Sequence, residues 1–223
     1  MRGMGRIYIV GVGPGDPSYL TLKGLEIIEG AKVVSGWESV LSRFTKYFHS
    51  KEIVPLRYEN EVEEIKRLTG LSKHFDVAIL DHGDPSVSDF QFIRKIRAAA
   101  NEVGTEVQVV SGVSSLLTSL ALVQEDMANV VFVTLHVRGD ESELLSQLDS
   151  AWCLGRSLMV IPPPRRDGVR SVARRLVELG HKGDVYVLEK VTYPDQRIVK
   201  TTAEALIQTG ESFSDLVIMF VRR

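Results

Sequence analysis

The apolar positions of the chain gather into short β-branched runs, separated by longer stretches in which apolar and polar residues follow a helical period. Residues 6–12, 32–35, 52–56, 77–81 and 107–110 read as strands. Residues 20–30, 38–47, 61–68 and 90–101 read as the helices between them. Strand and helix in regular alternation predict an α/β chain built on a largely parallel sheet. The stretch SSLLTSLALVQ, residues 114–124, holds no charged side chain and reads as a further, mostly buried helix.

A second series begins with the strand NVVFVTLH, followed by a helix at 141–148, the strand SLMVI and a helix at 168–179. The segments DVYVLEKVT and QRIVKTT, a short helix from residue 203 and the strand DLVIMFV then follow closely, and strands joined so tightly predict mixed or antiparallel pairing. The change of pattern places a domain boundary between residues 112 and 128, giving an N-terminal α/β domain over 1–115 and a C-terminal α/β domain over 116–223. No repeat of fixed period is visible.

Composition narrows the function classes. The chain has 223 residues, 44% of them hydrophobic, and a formal charge of −2 from 27 basic and 29 acidic side chains. That balance offers no global attraction to nucleic acid, so an anionic ligand must be met by a local cluster. No apolar run approaches the roughly 20 residues that span a bilayer, and the N-terminus lacks a secretory pattern, which predicts a cytoplasmic protein without membrane attachment. The one cysteine, Cys153, is expected as a small buried apolar side chain beside Trp152, with neither a disulfide nor a metal site.

Candidate chemistry sits in three turns that follow predicted strands. The first is GVGPGDPSYLT, residues 11–21. Phosphate cradles need free backbone N–H groups and, in the P-loop form, a Lys-Ser/Thr pair. Here Pro14 and Pro17 remove two donors, Asp16 adds a negative charge, and the third glycine of a dinucleotide fingerprint would fall on Asp16. The loop therefore suits a neutral or cationic ligand approached by bare backbone, or else a tight turn whose Thr21 caps the helix from Leu22. The second turn, DHGDP at 81–85, repeats the Gly-Asp-Pro theme after the fourth strand. Asp81 and Asp84 suit a positive ligand or cap the helix beginning near Asp89. The third, SGVSS at 111–115, brings Ser114 and Ser115 to a helix start, where hydroxyls and amides bind ligand oxygens or serve as plain caps.

Taken in order, G-x-G-P-G-D, the G-D-P loop and SGVSS resemble the tetrapyrrole methylase family over essentially the whole chain. Within that family, TLHVRG (134–139) and VLEKVTYPDQRIVKTTAEAL (187–206) resemble the branch that methylates carbon 5 of cobalt-precorrin-7 or precorrin-6Y in cobalamin synthesis. The resemblance implies two α/β domains with an active-site cleft between them, S-adenosylmethionine as cofactor with S-adenosylhomocysteine as product, no metal, and a homodimer. It assigns cofactor contacts to Pro14, His82, Gly83, Asp84, Val87, Ser114, Ser115, Pro162 and Val191. The implied reaction is an in-line displacement, in which the bridge carbon of the macrocycle attacks the sulfonium methyl group without a protein nucleophile.

A tetrapyrrole substrate carries many carboxylates, which need basic partners. Arg138, Arg165, Lys190 and Arg197 are the candidates, with Arg166 beside them, and His136 is the candidate proton acceptor or donor. Some members of this branch are fused to a carbon-15 methyltransferase and decarboxylase. A chain ending at Arg223 is expected to perform the carbon 5 step alone, with a separate carbon-15 enzyme acting in the same pathway. Other acceptors remain open, namely another corrin position, a diphthamide precursor or a ribosomal RNA, as does a non-catalytic cofactor-binding module.

Overall fold

The computed structural model of the chain describes residues 5–137 and 139–223. It divides into two compact units, Met1–Ser115 and Leu116–Arg223.

In the first unit the order is β1 (Ile7–Gly11), α1 (Leu22–Gly30), β2 (Val33–Trp37), α2 (Glu38–Leu41), β3 (Glu52–Leu56), α3 (Glu61–Leu71), β4 (Val77–Asp81), α4 (Phe90–Val103) and β5 (Val107–Val110). The strands form one parallel sheet in the order β3-β2-β4-β1-β5. Their near-continuous hydrophobicity has a simple cause, because both faces are covered. Val10, Val12, Val34 and Leu80 pack with Ile27, Ile28, Val40 and Leu41 of α1 and α2. Ile7, Ile9, Val33 and Ile79 pack with Ile65, Leu68, Phe92 and Ile96 of α3 and α4. The neighbouring strands β1 and β4 therefore send their connections to opposite faces, which opens a crevice at their C-terminal ends.

The second unit contains β6 (Val130–Thr134), α6 (Glu141–Trp152), β7 (Ser157–Ile161), α7 (Gly168–Glu178), β8 (Val185–Glu189), β9 (Arg197–Thr201), α8 (Ala203–Gln208) and β10 (Val217–Val221). The helix α5 (Ser115–Val123) spans the division between the units. The second sheet runs β6-β7-β10-β8-β9 and is mixed: β6 and β7 are parallel, whereas β10 is antiparallel to β7 and β8, and β8 to β9. Its core joins Leu158, Val160, Val187 and Met219 to Val172 and Leu176 of α7 and Leu148 of α6. No helix of the described residues is long and apolar enough to cross a membrane.

Four local expectations are corrected. The helix expected over 38–47 ends at Leu41, and the backbone tightens into bonds from Arg43 N to the Val40 carbonyl and from Phe44 N to the Leu41 carbonyl. That tightening buries the Phe44 ring and sends the Arg43 guanidinium to the Gly15 carbonyl. The strand expected through residue 192 stops at Glu189, since Lys190 and Thr192 take φ values of 51° and 68°. α5 is buried along one side only, with Leu117 and Leu122 exposed. Cys153 is exposed rather than buried, because it follows α6 as its C-cap residue.

The link between the first glycine loop and α1 is local. Thr21 Oγ1 accepts from Gly24 N at 3.0 Å, while Ala31 closes the far end of the helix through a bond to the Ile27 carbonyl. Thr21→Ala is expected to cost about 1 kcal/mol by removing this cap, read as a lower urea midpoint with an unchanged slope. Thr21→Ser keeps the hydroxyl and is expected to retain most of that stability.

Candidate active site

The loops that follow β1, β4 and β5 meet backbone to backbone. Val12 N donates to the Asp81 carbonyl at 3.0 Å, Gly13 N to the Gly83 carbonyl at 3.2 Å, and Gly83 N to the Gly13 carbonyl at 2.9 Å. The last two bonds close a small antiparallel bridge between the two Gly-Asp-Pro loops. Gly13 and Gly83 reach it with φ of +87° and +71°, a region L-residues with a Cβ enter at a cost.

The glycines differ in what they leave room for. A Cβ on Gly112 would stand 2.2 Å from the Gly83 carbonyl oxygen and 2.6 Å from the Gly11 carbonyl carbon. One on Gly11 would stand 2.6 Å from Gly112 N and 2.7 Å from the Gly83 oxygen. These two positions are glycine because three strand ends touch there. A Cβ on Gly83 would find nothing nearer than Ser115 N at 3.7 Å. Gly83 is thus glycine for its left-handed φ rather than for want of room, and its buried backbone faces Ser115 across ordinary contact distance.

The Gly-Asp-Pro loops share one turn. Asp16 Oδ1 accepts from Ser18 N at 2.8 Å, and Asp84 Oδ1 accepts from Ser86 N at 2.7 Å. The Ser18 backbone and hydroxyl hold the Asp16 carboxyl below the ordinary range. Val87 N donates to the Asp84 carbonyl at 2.9 Å, placing half-buried Val87 directly after the second turn. His82 lies between the loops with its imidazole bonded to the Pro14 carbonyl; burial, with some repulsion from Arg43, lowers its pKa and keeps it neutral near pH 7. Ser114 is buried, and Ser115 presents its amide toward Gly83. The structure thus brings Pro14, His82, Gly83, Asp84, Ser114 and Ser115 to one edge of the parallel sheet.

Two carboxyls beneath this edge escaped sequence reasoning as a pair. Asp81, the last residue of β4, is 2% exposed, and its Oδ2 has no hydrogen-bond partner among the described residues. Burial pushes its pKa well above the usual carboxylate range, and the nearby Asp89 and Asp84 push it the same way against the favourable His82 amide. Asp89 is raised to about 6 by burial at the start of α4, where its side chain makes no capping bond. The signal available in the sequence was Asp89 itself, four residues after the Gly-Asp-Pro turn at the expected helix start. Arg43 was also missed, since nothing local ties it to the Gly15 carbonyl that it binds.

In the second unit, His136 follows β6 and is bonded to the backbone of Pro162, which follows the adjacent strand β7. Burial outweighs the pull of Asp215 and lowers the His136 pKa. Pro162 and Val191 are both buried. The candidate cations are not free. Arg165 pairs with Asp167 at 3.0 Å and Lys190 with Asp195 at 2.6 Å. Arg197 pairs with Glu189 at 3.1 Å and Glu211 at 3.2 Å, and stacks over Phe213 at 4.7 Å. Arg138 lies outside the described residues.

An all-parallel first sheet with three touching loops at its C-terminal edge, two of them broken by proline and carrying acids, is an α/β arrangement without the features of a P-loop. The chain belongs to the tetrapyrrole (corrin/porphyrin) methylases, whose family model matches residues 6–207, and it is a methyltransferase. It is 30% identical over 195 residues to a probable cobalt-precorrin-7 C(5)-methyltransferase of Methanocaldococcus jannaschii, covering 86% of this chain and 87% of that one. It is 25% identical over 215 residues to a cobalt-precorrin-4 C(11)-methyltransferase of Priestia megaterium, covering 90% and 80%. Among solved structures, the precorrin-6Y methylase of Archaeoglobus fulgidus superposes with a TM-score of 0.69 at 26% identity, covering 98% of both chains.

Two outcomes follow from the geometry. Gly112→Ala is expected to cost several kcal/mol, because its Cβ meets unyielding backbone. Gly83→Ala is expected to cost about 1–2 kcal/mol for its left-handed φ alone; paired denaturant titrations separate the two. For Asp89 the folded pKa is raised from 3.8 to about 6. Between those values the folded chain holds a proton that the unfolded chain has released, so stability falls as pH rises through the window. Asp89→Asn is therefore expected to exceed the parent at pH 7 by on the order of 2 kcal/mol. The difference should vanish near pH 4, as measured by urea unfolding across pH.

Proposed function

We propose that this protein transfers a methyl group from S-adenosylmethionine to carbon 5 of cobalt-precorrin-7 or precorrin-6Y, a step of cobalamin synthesis. The observation that carries the acceptor is the 30% identity to the probable C(5)-methyltransferase across nearly the whole of both chains, joined by the likeness to the precorrin-6Y methylase. The observation that carries the cofactor is the bare-backbone edge. Gly83 presents bare backbone beside Ser115, Asp81 keeps an unpartnered buried oxygen, and neither proline-broken loop is built for phosphate.

Those features fit a sulfonium cofactor that combines an uncharged nucleoside, with no phosphate, and a zwitterionic tail. S-adenosylmethionine, when bound, supplies an electrophilic methyl group. The chain supplies position and a dry, rigid wall: Gly83 admits close backbone approach, His82 ties the second loop to Pro14, and Ser114 and Ser115 present a hydroxyl and an amide. The same assignment gives Asp84 and Val87 of the second loop, with Pro162 and Val191 of the second unit, to the cofactor. The acceptor's carboxylates fall to basic side chains of the second unit, and His136, neutral near pH 7, is assigned the proton released at the methylated carbon. Reading the protein as a homodimer belongs to this proposal as well.

Calorimetry with S-adenosylmethionine, S-adenosylhomocysteine, ATP and NAD tests the cofactor. Binding of the two sulfur ligands alone is expected, and it should be lost in Gly83→Val while the circular dichroism spectrum stays that of the parent. Incubation with cobalt-precorrin-7 and isotopically labelled methyl donor tests the acceptor. One labelled methyl at carbon 5 by NMR is expected, whereas label at carbon 11 would transfer the protein to the other branch.

A further inference from the structure

A recess of about 380 Å³ lies in the second unit between the first turn of α7 and the segment after α8, lined by Arg166, Asp167, Arg170, Gly210, Glu211 and Ser212. Its charges are unevenly matched. Asp167 is held by Arg165 at 3.0 Å, and Glu211 by Arg197 at 3.2 Å. Arg166 is exposed and has no carboxylate partner among the described residues. Arg170 gives one Nη2 bond to the Thr209 carbonyl at 2.9 Å, while its Nε is buried without a hydrogen-bond partner. Two guanidinium groups thus line one concave surface with donors to spare, beside carboxylates already neutralised by other arginines.

A buried guanidinium N–H left without an acceptor is a standing cost that a bound anion removes. The volume is near the lower end of the range for small-molecule sites, about 300–1,000 Å³, and suits one arm of a larger ligand. The planar fork of arginine matches a carboxylate in two parallel bonds. We propose that this recess holds a carboxylate arm of the acceptor through Arg166 and Arg170. Arg165 and Arg197, paired with Asp167 and Glu211 of its lining, then act as the ion-paired frame of the site and not as its ligands. The assignment rests on reading the acceptor as a polycarboxylated tetrapyrrole.

The test is equilibrium binding of uroporphyrin III, a soluble octacarboxylate, to the full chain at fixed low ionic strength, with S-adenosylhomocysteine affinity measured on the same preparations. Arg166→Gln, whose side chain is exposed, is expected to weaken uroporphyrin binding about tenfold with unchanged cofactor affinity and thermal midpoint. Arg170→Lys keeps a cation and a donor for Thr209 but loses the fork, and should weaken binding similarly without unfolding the chain. Parent-like uroporphyrin affinity in both variants would overturn the assignment. Parent protein that ignores uroporphyrin yet binds citrate or inorganic phosphate, with the same loss in the variants, would overturn the acceptor arm in favour of a free anion. Absence of S-adenosylhomocysteine binding in the parent would instead strike at the methyltransferase reading itself.

Discussion

The close approach of Gly11, Gly83 and Gly112 is the constraint around which the first unit is organised. The ends of β4, β1 and β5 come together so closely that the Gly83 carbonyl occupies the place of a Gly112 side chain. Parallel strands spaced by their hydrogen bonds carry their following loops side by side, but only residues without a Cβ let those loops touch. Once they touch, the Gly13 and Gly83 bonds fix both Gly-Asp-Pro turns in one orientation, and the His82 bond to Pro14 holds their tips. A ligand wall made this way consists of backbone and needs little side-chain ordering when it binds.

The acid pair beneath that wall follows from the same economy of space. β4 ends in Asp81 on the face covered by α4, where Phe92 and Ile96 exclude water. A carboxyl there has only the His82 amide to favour its charge, and Asp89 at the head of α4 works against it. Hydrophobic residues at both positions would have removed the cost. Buried carboxyls with shifted pKa values at the C-terminal edge of the sheet make the pair a candidate part of the site.

Much of this was legible in the sequence because it is local. β3, β4, β5 and β7 occupy the expected residues, since buried parallel strands announce themselves as short β-branched runs closed by polar turns. The two Gly-Asp-Pro loops were legible as acidic, proline-broken turns unsuited to phosphate. What was not legible depends on partners far along the chain. Arg43 leaves its helix for Gly15, a residue 28 positions away. Arg197 is held by Glu211, 14 positions on, across a strand, a helix and a loop, and no local spacing rule encodes that pairing. Cys153 was misplaced because its neighbour Trp152 suggested a core position, whereas the end of α6 turns it to solvent.

The two units divide the chemistry by sign. Around the glycine loops the chain offers acids, a neutral imidazole and backbone, which suit a cofactor whose reactive centre is a cation. In the second unit the recess beside α7 offers the guanidinium groups of Arg166 and Arg170, while Arg165 and Arg197 are paired with Asp167 and Glu211. Methylases that share the loops but act at different ring carbons can share the first arrangement unchanged, because the methyl donor is the same. They must differ where the macrocycle's arms are held, since turning the ring to present another carbon moves every carboxylate. In the proposed assignment the arginines of α7 and the loop before it orient the acceptor, and the glycine edge receives the cofactor.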